Sequence, residues 1–241
     1  MPTPDPTLYS YLQATVTAGA SDLHLTSGRP ATVRRDGVLV PFEGVPVLTP
    51  EDCERYALSL LDDDHRRELK EISSTDFSFG IPELGRFRGN AFMQRGSISV
   101  ALRVVPARIR GLEELGLPPA ANELLNKPYG LVLVVGPTGS GKSTTLAAMI
   151  DRINETKPCH ILTIEDPVEY LHKHKVAMIN QREVGSDVHS FEDGLRNALR
   201  EDPDVVLLGE MRDLDSIAIT LTLAETGHLV FATLHTNDAS Q

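Results

Sequence analysis

Residues 136–144, Gly136-Pro137-Thr138-Gly139-Ser140-Gly141-Lys142-Ser143-Thr144, satisfy every fixed position of the pattern G-x-x-x-x-G-K-[ST]. These residue types answer to the chemistry of a polyphosphate. Glycines let consecutive backbone N–H groups converge on phosphate oxygens with no Cβ in the way. A helix opening behind the loop turns its positive end to the same anion. Lys142 supplies a full charge for the outer phosphates, and Ser143 offers a hydroxyl to Mg2+. A glycine-rich turn between strand and helix can match so short a pattern by chance. Here an apolar run, 131–135, precedes it and a helical stretch follows, which is the context in which such a loop binds nucleotide.

Two further apolar runs end in carboxylates. Residues 204–210, DVVLLGE, finish on Glu210, where P-loop ATPases place an acid that holds Mg2+ directly or through water. Residues 161–164 run into Glu165, Asp166 and, past Pro167, Glu169. Burying such carboxylates costs on the order of several kcal/mol unless something pairs with them. If both runs are strands of one parallel sheet, their C-terminal ends share an edge with the phosphate loop, where open α/β sheets collect their ligands. The carboxylates then face a metal ion and an attacking water, one orienting the metal's water shell and another polarising the nucleophile. Periodicity alone does not assign the two roles, and a solvated acidic loop is the plainer alternative. Pro167 bars a regular continuation of the strand. His228 and His235 bracket a last apolar run, as candidates to contact the γ-phosphate or relay its loss.

The pattern leaves the nucleotide open, so the rest of the chain must narrow it. A GTPase needs N-K-x-D after the loop, but Asn126-Lys127 precedes it and lacks the aspartate; a basic lid of the small-kinase kind is also missing. ATP with Mg2+ is therefore the expected pair. The net charge of −11 over 241 residues argues against broad nonspecific binding to nucleic acid or anionic lipid. Cys53 and Cys159 stand far apart, with neither metal spacing nor a disulfide framework. The N-terminus has no basic-then-apolar signal, and the longest apolar runs are of strand length. These features fit a cytoplasmic protein with no direct membrane insertion.

The elements that position the loop divide by texture. Residues 1–105 read as α+β: a helix over 5–19, a hairpin at Asp36-Gly37, one or two helices over 49–69 opened by Thr49-Pro50, and three successive strands over 75–105. Residues 106–130, rich in Pro and Gly, read as a linker and connecting helix. Over 131–241 continuous apolar strands alternate with helices, including an alternating strand over 175–181 and a helix with Ser190 as N-cap and Asp193 in capping-box position. That alternation predicts an α/β fold, a mostly parallel sheet covered on both faces. The chain stops just after a strand, where a natural domain rarely ends, so the core is expected to be incomplete at its C-terminus.

Five segments in this order, "GPTGSGKSTTLAAMI", "ILTIEDPVEY", "NQREVG", "ALREDPDVVLLGEMRD" and "AETGHLVFATLHT", resemble the secretion ATPases of type IV pilus and type II secretion systems. The likeness runs from "ASDLHLTSGRPATVRRDG" to the last residue and lies nearest the pilus-retraction (twitching-motility) branch. It implies a PAS-like N-terminal domain, a RecA-like P-loop ATPase core, a homohexameric ring, and attachment through an inner-membrane platform protein, with a paralogous pilus ATPase as a further partner. By the same resemblance Glu169 is the general base with Glu165 and Asp166 in support. His235 contacts the γ-phosphate, and His228 is structural or couples motion. Arginines of the N-terminal domain, for which Arg86, Arg88 and Arg103 stand as candidates, reach the nucleotide, a task suited to a planar guanidinium. The chain departs from the assembly ATPases, which carry an extra N-terminal domain and usually a four-cysteine zinc module. An assembly or type II secretion ATPase, or a nucleotide-binding regulator with little turnover, remains the alternative.

Overall fold

A computed structural model describes residues 3–106, 108–211 and 213–234. The chain divides into two compact units, 1–107 and 108–241. In the first, helix α1 (Pro6–Thr17) starts on Asp5, whose carboxylate accepts the N–H groups of Thr7 and Leu8, and buries Leu8, Tyr11 and Leu12. Thr49 opens α2 (Pro50–Leu60) with a reciprocal capping box to Asp52, and α3 (Asp63–Ile72) follows, so the 49–69 stretch is two helices. The strands are β1 (Asp22–Leu25), β2 (Thr32–Arg35), β3 (Val38–Pro41), β4 (Ser74–Ile81), β5 (Gly85–Gln94) and β6 (Ser97–Val104). They form an antiparallel sheet in the order β3-β2-β1-β6-β5-β4, with the Asp36-Gly37 turn joining β2 to β3.

Alternation along these strands separates an apolar face from a polar one. Leu23, Leu25, Val33, Phe77, Phe79, Phe87, Ala91, Val100 and Leu102 pack with the three helices into one core. Gly89 of β5 lets the sheet pass under this core, since a Cβ there would run into the ring of Phe77 and a methyl of Leu102. Overpacking of this kind costs roughly 1–3 kcal/mol. Gly89→Ala is therefore expected to lower the thermal midpoint of this unit by several degrees, read by circular dichroism; an unchanged midpoint would mean that the two side chains repack freely.

The second unit is α/β. Helix α4 (Ala120–Leu125) precedes β7 (Gly130–Val135), α5 (Lys142–Thr156), β8 (His160–Glu165), β9 (Met178–Glu183), α6 (Phe191–Ala198), β10 (Val205–Leu208), α7 (Leu214–Glu225) and β11 (Leu229–Leu234). All four strand pairings are parallel, in the order β7-β11-β10-β8-β9. Continuous apolar runs do become central strands here: Ile161, Leu162, Ile164, Val206, Leu208, Val230 and Phe231 are all buried. Strand β9 starts at Met178, three residues later than the alternation suggests. The cause is Asn154 of α5, fully buried, which holds Lys173 O, accepts Lys175 N–H on its side chain and takes the N–H groups of Val176 and Ala177 on its own carbonyl. The backbone of 173–177 is thereby tied to the helix before it can join the sheet. No helix among the described residues is long and apolar enough to cross a membrane.

Candidate nucleotide site

In a parallel sheet all strands point their C-terminal ends to one edge, and that edge carries the residues singled out above. Residues 136–141 leave β7 there, Glu165 ends β8, and Glu210 follows β10. In the loop, Gly139 and Gly141 take φ +81° and +94°, the left-handed region that side chains disfavour, and Gly141 is the N-cap of α5. A Cβ on Gly136 would come within 2.7 Å of Ser140 Oγ. Lys142, only 9 % exposed, folds back so that Nζ donates to the carbonyls of Gly136 (2.8 Å) and Pro137 (3.1 Å). The lysine is thus held over the loop, its charge aimed at whatever the loop encloses. Thr144, one turn into α5, shares a 2.9 Å hydrogen bond with the Tyr170 hydroxyl, which ties the helix behind the loop to the segment that carries the acidic residues.

That segment leaves β8 through Glu165, and the Asp166–Pro167 peptide is cis. Glu165 is buried: Oε1 accepts from the Thr163 hydroxyl (2.6 Å) and the Gln181 amide (3.2 Å), and Oε2 from the Glu169 N–H (3.3 Å). Burial pushes its carboxyl pKa up, against these donors, which favour the ionised form. Its oxygens face the protein and brace the loop. Past the end of β10, Gly209 N–H donates to Ile164 O of β8 (2.8 Å), while on the other side the Thr233 hydroxyl and Met211 N–H tie residues 209–211 to β11. Both acidic segments are therefore anchored to the central strands, and a Cβ on Gly209 would press on the Glu165 backbone at 3.2 Å.

Of the two histidine candidates, His235 lies outside the described residues. His228 precedes β11, which lies between β7 and β10, and so sits at the edge opposite the loop, about 20 Å away at roughly 3.3 Å per residue. There its Nδ1 lies 3.0 Å from Leu223 O and 3.3 Å from Thr226 Oγ1, at the end of α7. Within one chain, then, the parallel sheet sets His228 and the phosphate loop at opposite edges, a placement compatible with a structural or coupling role.

The three candidate arginines belong to the first unit and share the polar face of its sheet. Arg34, Asp22, Arg103, Arg88 and Ser78 follow one another across five strands in direct register. Arg103 Nε donates to Asp22 Oδ1 at 2.8 Å, with Arg34 3.9 Å away on the other oxygen, and Arg86 Nη2 donates to Ser78 Oγ at 2.6 Å. Burial raises the Asp22 pKa, but the Ser21 hydroxyl and Arg103 outweigh it and hold the carboxyl below its ordinary range.

Sequence reasoning passed over three groups beside the site, two of them buried side chains and one, Gln181, half-buried. Gln181 and Glu183 of β9 contact the acidic loop, Glu183 Oε2 accepting Val168 N–H at 2.9 Å. The His172 side chain, 2 % exposed, has Nδ1 3.6 Å from Asp151 Oδ1, too long for a full hydrogen bond. Burial holds this imidazole below its ordinary pKa, and Asp151 offsets the effect only in part. The fold therefore resists protonation of this imidazole, while the unfolded chain takes up a proton below about pH 6.5. Its stabilising contribution is thus complete above that value and is lost as the pH falls. Thermal midpoints measured from pH 7.5 to 5 are expected to decline more steeply for the wild type than for His172→Gln; equal slopes would contradict this.

A glycine loop on the edge of a parallel sheet, a buried lysine over it and acids at the ends of the neighbouring strands define a RecA-like P-loop nucleotide-binding fold. Residues 7–241 match the family model described as type II/IV secretion system protein. The chain belongs to that family. It is 49% identical over 223 residues to the type IV pilus retraction ATPase PilT of Pseudomonas aeruginosa, covering 92% of this chain and 64% of that protein. A crystal structure of the pilus retraction motor PilT with bound ADP superimposes with a TM-score of 0.89 at 56% identity, over 94% of this chain and 66% of that one. The ATPase DotB of Legionella pneumophila gives 0.84 at 29% identity, over the full chain and 69% of its own. The chain thus spans just under two-thirds of the length of the Pseudomonas relative.

Proposed function

We propose that this chain is the nucleotide-binding and catalytic part of an ATP-hydrolysing motor that works in type IV pilus retraction. The observation that carries the reading is the Thr144–Tyr170 bond between the phosphate loop's helix and the acidic loop, in a chain 49% identical to a pilus retraction ATPase. Residues 136–144 and Lys142 bind the phosphates of ATP. Ser143 and Glu210 suit Mg2+, a hard cation that takes few protein oxygens and completes its shell with water and phosphate. Among the described residues no three His, Cys, Asp or Glu side chains cluster as an all-protein metal site. When bound, Mg2+ neutralises charge developing on the phosphates.

Glu169 takes the proton of the attacking water, with Asp166 beside it and Glu165 holding its loop, while His235 faces the γ-phosphate. The arginine face of the first unit, with Arg86, Arg88 and Arg103, completes a site shared between copies of the chain in a homohexameric ring. Asp22 holds Arg103 by its Nε at 2.8 Å, a charge-assisted bond that orients the guanidinium. The ring acts in the cytoplasm against an inner-membrane platform protein and beside a paralogous ATPase. Turnover of ATP per chain, measured with Mg2+ over a wide range of protein concentration, is expected to rise as the chains associate. No Mg2+-dependent turnover at any concentration would contradict the reading.

A further inference from the structure

The acidic loop has no secondary structure of its own, yet a general base works only if its reach to water is fixed. What fixes the loop is strand β9. Gln181 and Glu183 stand two residues apart and so project to the same face of the sheet. They pair in register with Thr163 and Glu165 of β8. The Gln181 amide makes three contacts. Its Nε2 donates to Tyr170 O (2.8 Å) and Glu165 Oε1 (3.2 Å), and its Oε1 accepts His172 N–H (2.8 Å). Glu183 takes Val168 N–H, and Glu165 takes Glu169 N–H. The backbone groups of residues 168, 169, 170 and 172 are thus each held by one of three side chains. Gln181 is the only one of the three that grips the loop on the far side of Glu169, and it also steadies Glu165, the carboxylate that holds the Glu169 N–H.

We infer that Gln181 is a positioning residue for hydrolysis: its amide closes the loop around Glu169 and, through Tyr170, sets that loop against the helix of the phosphate loop. Only an amide fits, because the site asks for donors toward two oxygens and an acceptor toward one N–H. Glutamate keeps the shape and the acceptor but puts a second carboxylate against Glu165, and leucine removes all three bonds. The hydrogen bonds of Gln181 go to Glu165, Tyr170 and His172 and not to residues 136–143, so its loss should act on the chemical step and spare nucleotide binding.

The inference rests on the ATPase reading, so its test needs a readout that does not. Hydrogen exchange of the amides of Val168, Glu169 and His172 is compared in wild type, Gln181→Leu and Gln181→Glu, alongside ATP affinity, kcat and thermal midpoint. The expected result is exchange at these amides faster by about ten-fold or more, since the loop opens more readily once the Gln181 hydrogen bonds are gone, with kcat reduced at least ten-fold and ATP affinity within three-fold of wild type. In Gln181→Glu, kcat should partly recover as the pH is lowered, because a protonated glutamate regains one donor, a response that a general packing defect would not produce. Unchanged exchange at these amides, or a loss of affinity equal to the loss in kcat, would overturn the assignment. If the wild type itself fails to turn over ATP, the motor reading falls, and the exchange data still decide whether Gln181 holds the loop.

Discussion

Lys142→Ala is expected to weaken ATP binding by about 100-fold while leaving the fold intact. A hydrogen bond to a charged group is worth roughly 1.5–3 kcal/mol net, and 1.4 kcal/mol is a factor of ten, so losing one ammonium that bridges outer phosphates accounts for one to two orders of magnitude. The structure adds a reason to expect the upper end. Lys142 is already buried and oriented, its Nζ on the carbonyls of Gly136 and Pro137, so little side-chain entropy is lost when it meets the ligand. The fold is expected to survive because β7 anchors the loop at one end and α5 at the other. Titration with a fluorescent ATP analogue, beside a circular dichroism spectrum, measures both. Affinity within a few-fold of wild type would mean that the loop does not bind the polyphosphate.

Glu169→Gln is expected to do the opposite: ATP binds as in wild type and turnover falls by about 10²- to 10⁴-fold, the range a positioned general base supplies. The Glu169 N–H is fixed on Glu165, so the amide variant keeps its backbone anchor and loses only the ability to accept the water's proton. Asp166→Asn should cost less, as a neighbour that does not itself take the proton. Equal losses in the two variants would point to a shared role for the acidic pair.

Much of this site is legible in the chain because single local signals specify it. The phosphate loop needs positive φ at fixed places and a charge after them, and Gly139, Gly141 and Lys142 announce both. The apolar runs that become the central strands β8, β10 and β11 are continuous because both faces of a parallel sheet are covered. The order of those strands is another matter. Nothing in the run 229–234 says that it will lie between β7 and β10, and so nothing says that His228 will stand at the edge away from the phosphate loop. Long-range capture is equally silent: Asn154 delays β9 from 21 residues away in sequence at Lys175. Gln181 reads as an ordinary polar position of an alternating strand, and only its register with Thr163 turns it toward the acidic loop.

The most direct test of the account is ATP binding and Mg2+-dependent phosphate release, measured side by side on wild type and Glu169→Gln at one protein concentration. The account predicts equal binding in both, with release in the wild type alone and its loss on chelation of Mg2+. Release that persists in Glu169→Gln at the wild-type rate would contradict it.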